Sequence, residues 1–334
     1  MPAQPDQPRF APADMPRASN GATTGGIDLG GTKIEARLFD AQMQTLETRR
    51  LPTPAEDFTA FVKALAAQVR WLEETSGLGA ALPVGIGLPG LIDPESGLGF
   101  AANIPITGQN LPAALTEALG RPVPLLNDCQ AFALSEAHGG AGTGARRVIG
   151  LIMGTGIGAG LAQDGRAGYR ANGSALEVGH IGLPSHALQE LRDRLGVDLA
   201  LRDCGCGRRG CFETCLSGPG LSWLARQYLG AELEPADLAQ RAGDGERAAE
   251  VVLQIWAHLA GELLLTLQLA HDPDCIVLGG GLSQIPGVEL RLAAALERVR
   301  LGSMRAPKIA IAQHGDSSGA RGAALHALAQ ARDI

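Results

Sequence analysis

Three groups of residues have the types and spacing to do chemistry. Asp28, Gly30, Gly31, Thr32 and Lys33 put an acid, two glycines, a hydroxyl and an amine at one tight turn between apolar runs. Glycine lets backbone N–H groups approach phosphate oxygens closely. Lys33 can add positive charge, and Asp28 can orient a hydrated Mg²⁺. The device recurs at Gly154-Thr155-Gly156, and Gly279-Gly280-Gly281 follows a further apolar run. One such turn is an ordinary hairpin; the recurrence points to a nucleotide. Gly154-x-Gly156-x-x-Ala159 also fits a dinucleotide fingerprint, but that fingerprint needs a helix directly after the turn. Gly158, Gly160 and the Asp164-Gly165 turn leave no room for one.

The second group is Asn127-Asp128, where a predicted strand meets a predicted helix. Asp is a favoured helix N-cap. It can also be a general base, taking a hydroxyl proton as a phosphoryl group arrives. Strand C-termini in open α/β sheets are where ligands bind.

The third group is Cys204, Cys206 and Cys211 on a glycine-rich loop. Zinc takes four N/S ligands in a tetrahedron, so a fourth partner is required, either His180 or Cys215. With four protein ligands no place remains for a catalytic water, and the metal is expected to be structural, pinning the loop that carries Glu213. Glu177 and His180 are three apart and would share a face of a helical turn.

The elements that must position these groups follow from periodicity. Gly26–Asp40 reads as strand, glycine turn and strand; Val148–Met153 and Ile157–Ala162 repeat the pattern. Val84–Leu88 reads as a short apolar strand, Val123–Leu126 as another strand and Cys275–Leu278 as a buried strand. Thr53-Pro54-Ala55-Glu56 reads as a capping box opening a helix, with Phe58, Phe61, Val62, Leu65, Val69 and Leu72 at helical spacing. Asn110 opens a helix that Gly120 ends. Val251–Ala270 is interrupted by Gln254, His258 and Glu262 and reads as a core helix rather than a membrane span. Two strand–turn–strand units, each followed by helices and strands, predict two similar α/β domains facing each other.

Composition sets the limits. The chain has 334 residues, 45% of them apolar, enough for a sizeable core in two domains. With 28 Lys and Arg against 35 Asp and Glu, its net charge is −7, which argues against a nucleic-acid binder. Lys33, Lys63 and Lys308 are its three lysines and none follows a glycine, so a Walker A loop is excluded. Residues 1–24 carry five prolines and no apolar run, and read as a disordered tail rather than a secretory signal. The clustered cysteines favour a metal site in a cytoplasmic protein over a disulfide scaffold.

Together these pieces resemble the ROK sugar kinases of the actin-like ATPase superfamily. The resemblance rests on Asp28–Lys33 (DLGGTK), Gly87–Gly90 (GLPG), Asn127-Asp128, Gly154–Gly160 (GTGIGAG), Glu177–His180 (EVGH), Cys204–Glu213 (CGCGRRGCFE) and Gly279–Gly281, in family order. Ala102–Pro105, Gly182–Pro184 with Ala187-Leu188, Leu278–Ser283 and His314–Asp316 are similar to members acting on N-acetyl-D-glucosamine. The resemblance implies two actin-like (ribonuclease-H-like) α/β domains flanking a nucleotide and sugar cleft. One would be 25–136 with 316–334, the other 137–315. It implies ATP-dependent phosphorylation of the 6-hydroxyl of N-acetyl-D-glucosamine, with glucose, fructose or mannose as alternative substrates.

It further implies Asp128 as the base, and Asn103, Asn127, Glu177, His180 and Glu213 on the sugar hydroxyls. His180, Cys204, Cys206 and Cys211 would bind zinc. Asp28, Gly30, Gly31, Thr32, Gly154, Thr155, Gly156 and Gly280 would line ATP and Mg²⁺, with Lys33 as a further phosphate contact. The family usually forms a homodimer. Some members are repressors with an N-terminal helix-turn-helix; the proline-rich stretch before Asp28 is not expected to form one. Leu176 stands where the family usually has Gly, and is expected to reshape the backbone beside the sugar.

Overall fold

The structure is a computed structural model. It describes residues 21–332 except Tyr169 and Val197, and leaves the side chains of Arg194, Leu195 and Asp316 undescribed. In chain order the strands are β1 (Ala22–Leu29), β2 (Lys33–Asp40), β3 (Thr45–Pro52), β4 (Val84–Leu88), β5 (Leu91–Ile92), β6 (Gly99–Phe100), β7 (Leu125–Asn127), β8 (Arg147–Met153), β9 (Ile157–Gln163), β10 (Arg166–Ala167), β11 (Cys275–Gly279) and β12 (Lys308–Ile311). The helices are α1 (Phe58–Ser76), α2 (Leu111–Leu119), α3 (Asp128–Ala137), α4 (Ser185–Leu195), α5 (Glu213–Leu216), α6 (Gly218–Leu229), α7 (Pro235–Gly243), α8 (Arg247–His271), α9 (Val288–Val299) and α10 (Ser318–Arg332).

The chain forms two compact units. The first contains residues up to Gly144, Ala162–Ala175 and the segment from His314; the second contains Ala145–Leu161 and Leu176–Gln313. The first unit's sheet has the order β3-β2-β1-β4-β7, with β1, β2 and β3 antiparallel and β1, β4 and β7 parallel. The second has β9-β8-β11-β12, with β11 parallel to both β8 and β12. Each sheet thus runs hairpin first, then two parallel strands, as the repeated strand–turn–strand pattern predicts. The end of β9 leaves the second unit, and there Ala162 and Gln163 pair with β10 inside the first.

The first core gathers Ile27, Leu29, Ile34, Leu65, Val69, Leu72, Val84 and Ile86 between the sheet and α1. On the other face of that sheet lies α10, and it leaves no space for side chains. A Cβ on Gly26 would lie 1.8 Å from the Ala320 carbonyl oxygen, and one on Gly85 would lie 2.1 Å from that of Ala323. A Cβ on Gly322 of α10 would lie 1.8 Å from the Ala131 carbonyl oxygen of α3. The second core is built on α8. By length and composition α8 could cross a membrane, yet 67% of its apolar window is buried within the protein. The indole N–H of its fully buried Trp256 donates to Leu216 O at 3.1 Å, which satisfies the polar end of a large apolar side chain.

Two local expectations change. The tail reading reached residue 24, but β1 already begins at Ala22; its earlier part, 1–20, lies outside the described residues. The predicted capping box at Thr53 does not form. Asp57 caps α1 by accepting from Ala60 N (2.6 Å), while the Thr53 hydroxyl donates to Gly30 O (2.7 Å) and so braces the first glycine turn. After the Gly279–Gly281 run a short 3-10 turn (Gly281–Gln284) precedes α9.

Candidate active site

In the first unit the β1–β2 turn brings the acid and the glycines together. Gly30 N donates to Lys33 O (2.9 Å), and Thr53 N donates to Thr32 O (3.0 Å). Gly31 packs against Asn103, whose Cβ would lie 3.1 Å from a Cβ on that glycine. Lys33 turns toward the buried Glu35 (3.9 Å), whose carboxylate Arg37 and Arg50 also hold. The Asp28 carboxyl lies against Gly319 in the first turn of α10, where a Cβ would sit 2.5 Å from its Cγ.

Asn127, not Asp128, caps α3. Its Oδ1 accepts from Cys129 N (2.8 Å) and Gln130 N (3.4 Å), and its Nδ2 donates to Gly90 O (2.9 Å). Asp128 is therefore the first helical residue, and its Oδ1 accepts from Cys129 N (2.8 Å). Burial raises the Asp128 carboxyl above the usual range, opposed by that N–H bond. Burial, then the charges of Asp128 and Glu35, raise Asp28 from 3.8 to about 6. Two buried carboxyl groups, one of them raised further by the charge of the other, suit a divalent cation and a phosphate.

In the second unit the Gly154–Gly156 turn joins β8 and β9 directly, which rules out the dinucleotide reading: a strand, not a helix, follows it. Gly280, at φ 80°, packs on this turn's base; a Cβ there would lie 2.4 Å from Met153 O. Glu213 Oε2 accepts from Ile157 N (3.0 Å), so the cysteine loop is tied to the same turn. Val178–His180 is a single 3-10 turn, and exposed Glu177 precedes it. Leu176 is buried in the core and pairs with Ala159 through both backbone hydrogen bonds (2.7 and 3.2 Å). Its side chain therefore faces the core.

One ligand atom from each of His180, Cys204, Cys206 and Cys211 lies within 4.8 Å of all the others. Cys204 Sγ is 3.5 Å from His180 Nδ1, and Cys206 Sγ is 3.7 Å from Cys211 Sγ. Tetrahedral zinc at its usual bond lengths sets about 3.6 Å for N···S and about 3.8 Å for S···S. The donor set fits zinc. Cys215 is buried elsewhere, beside the Thr214 hydroxyl (3.9 Å), which leaves His180 as the fourth donor. Burial and the neighbouring thiols push the Cys211 thiol up to about 12; a bound cation would hold it as thiolate.

Sequence motifs marked the glycine turns, Asn127-Asp128 and the cysteine loop; they gave Thr53 a different role, and they did not mark Gly319 of α10, the Arg50 that holds Glu35, or Arg202, whose Nη1 donates to Thr214 O at 2.7 Å. Arg202 lies two positions before the first cysteine and outside any glycine or cysteine spacing; its only sequence signal is its proximity to the loop.

A model of the ROK family matches residues 24–331. N-acetyl-D-glucosamine kinase of Escherichia coli (strain K12 / DH10B) is 39% identical over 301 residues, 90% of this chain and 97% of that protein. Among solved structures, the ROK hexokinase from Thermus thermophilus is 33% identical, with a TM-score of 0.79 over 93% of this chain and 99% of that one. The ROK family glucokinase from Streptomyces griseus, in complex with glucose and AMPPNP, is 29% identical, with a TM-score of 0.68 over 91% and 98%. The match runs from the first glycine turn through both units to α10, and the chain belongs to the ROK family.

Proposed function

We propose that the protein transfers the γ-phosphoryl group of ATP to the 6-hydroxyl of N-acetyl-D-glucosamine. The observation that carries this is the 39% identity, over nearly the whole length of both chains, to a kinase of that name. In this reading the sugar O6 attacks the γ-phosphorus, the bond to the β–γ bridging oxygen breaks, and ADP leaves. The hydroxyl proton goes to Asp128. Its raised pKa suits a base that must hold a proton until product leaves. The transfer needs little covalent help, so positioning does most of the work.

The reading gives Asn103, Asn127, Glu177, His180 and Glu213 the sugar hydroxyls, with His180 keeping Nε2 available while Nδ1 faces the thiols. Gly30, Gly31, Thr32, Gly154, Thr155, Gly156 and Gly280 cradle phosphate oxygens. Lys33 is a weaker candidate, because it is drawn to Glu35. Mg²⁺ near Asp28 would offset charge on the β- and γ-phosphates; zinc at His180 and the three cysteines would fix the loop. A homodimer and a cytoplasmic setting come with the family resemblance; its domains at 25–136 with 316–334 and at 137–315 differ from the compact units, which place Ala162–Ala175 in the first.

A glucose preference is the second reading, favoured by the glucose-bound glucokinase among the similar structures. A coupled ADP-release assay with ATP and Mg²⁺ separates them. N-acetyl-D-glucosamine should give the highest kcat/KM among that sugar, glucose, fructose and mannose. A higher value for glucose overturns the substrate, and no ADP from any of the four overturns the kinase.

A further inference from the structure

The second unit holds a cavity of about 500 Å³ beside the Gly154–Gly156 turn. Gly154 and Thr155 line it, with Gly218 and Pro219 at the start of α6, Trp223 one turn on, and Arg202 from the stretch leading into the cysteine loop. Arg202 is held from three sides. Its Nη1 donates to Thr214 O at 2.7 Å, its guanidinium lies 4.9 Å from the centroid of the Trp223 ring, and its own carbonyl accepts from Gly210 N at 2.8 Å. A side chain fixed in this way has already lost most of the rotamer freedom that ligand binding would otherwise cost. Among the described residues its guanidinium makes one hydrogen bond, and an arginine has five N–H groups to give.

The surroundings point to an anion. Ser217 caps α6 by accepting from Gly220 N (3.1 Å), and Gly218 N donates to Gly154 O (2.7 Å), so these first N–H groups are spent and the twelve-residue helix offers the glycine turn the positive end of its dipole. Glu234 also lines the cavity, as do Arg226 and Glu232, which pair with each other at 3.7 Å. Carboxylates accept from ribose hydroxyls or a base amino group and repel phosphate. One cavity therefore contains a site for phosphate and a site for hydroxyl or amine donors, a combination that suits a nucleoside polyphosphate.

We propose that Arg202 binds a phosphate of the nucleotide seated at the Gly154–Gly156 turn. The stretch leading into the metal loop then supplies a nucleotide contact, while Glu213 after the loop supplies a sugar contact. The inference rests on the kinase reading. The test is calorimetric binding of ADP and of adenosine to the full-length, metal-loaded protein and to its Arg202→Ala variant, with metal content measured for both. ADP affinity should fall about tenfold or more in the variant, as expected for a lost charged hydrogen bond. Adenosine affinity should stay within about twofold, with metal content unchanged. Arg202→Gln, whose amide can still donate to Thr214 O, should show the same selective loss, and it serves if the alanine variant does not fold.

Equal losses for ADP and adenosine would reduce Arg202 to a structural brace and overturn the proposal. So would undiminished ADP binding in the variants while the parent protein binds ADP. A parent protein that binds neither ligand overturns the kinase reading, and the proposal with it.

Discussion

Asn127 and Asp128 are neighbours, and the first frees the second. Because the Asn127 oxygen caps α3, the Asp128 carboxyl is not needed to hold the helix. Asp128→Asn should therefore fold normally by circular dichroism and still bind sugar in calorimetry. Its kcat should fall by a factor on the order of 10³ through loss of the base; a kcat within tenfold of the parent would remove Asp128 from that role. Asp28 makes a second point. Its carboxyl is raised from 3.8 to about 6, so between those values the folded protein binds more protons than the unfolded chain. Stability contributed here is highest near pH 4 and declines as pH rises through 6, by about 3 kcal/mol in total without a cation. Asp28→Asn should therefore resist urea better than the parent at pH 8, and the advantage should vanish near pH 4. An advantage that is the same at both pH values would show that Asp28 is not strained by its charge.

The cysteine loop was legible in the sequence because three thiols fall within eight positions, and such density has few other uses. The sequence alone left His180 and Cys215 as rival fourth ligands, since the pairing of Cys215 with Thr214 depends on how α5 is placed. Thr53 was misread for a similar reason: its hydroxyl was free to cap a helix or to brace a distant turn, and only the position of Gly30 decides. Cys206→Ser should lower metal content and raise the sugar KM by about tenfold or more, as outer supports of a site do, with secondary structure retained; full metal content and an unchanged KM would detach the loop from the sugar. The backbone-on-backbone seat of α10 was not legible, because glycine and alanine carry no pattern that names their partner. Gly322→Ala should cost about 1–3 kcal/mol by forcing α10 and α3 apart, measured by urea unfolding. A loss under ~0.5 kcal/mol would show that the two helices shift at little cost.

At the scale of the molecule, the chain passes between its units at four places: Gly144, Leu161, Ala175 and Gln313. Neither unit is a continuous stretch, so excising one by a single pair of cuts leaves part of it behind. A fragment of residues 21–144 retains the first sheet and lacks α10, which covers β1 and β4. It should fail to show a cooperative thermal transition, whereas the whole chain shows one; a cooperative fragment would mean that α10 is dispensable to the sheet.

The sequence position of α10 also sets an order in time. Emerging from a ribosome, the strands of the first sheet are made first, and their final layer is made after the whole of the second unit. Until then Gly26 and Gly85 present a smooth apolar face with nothing against it. The half of the protein begun earliest is thus the half completed last, and the apolar face of β1 and β4 is the surface most exposed to aggregation during synthesis.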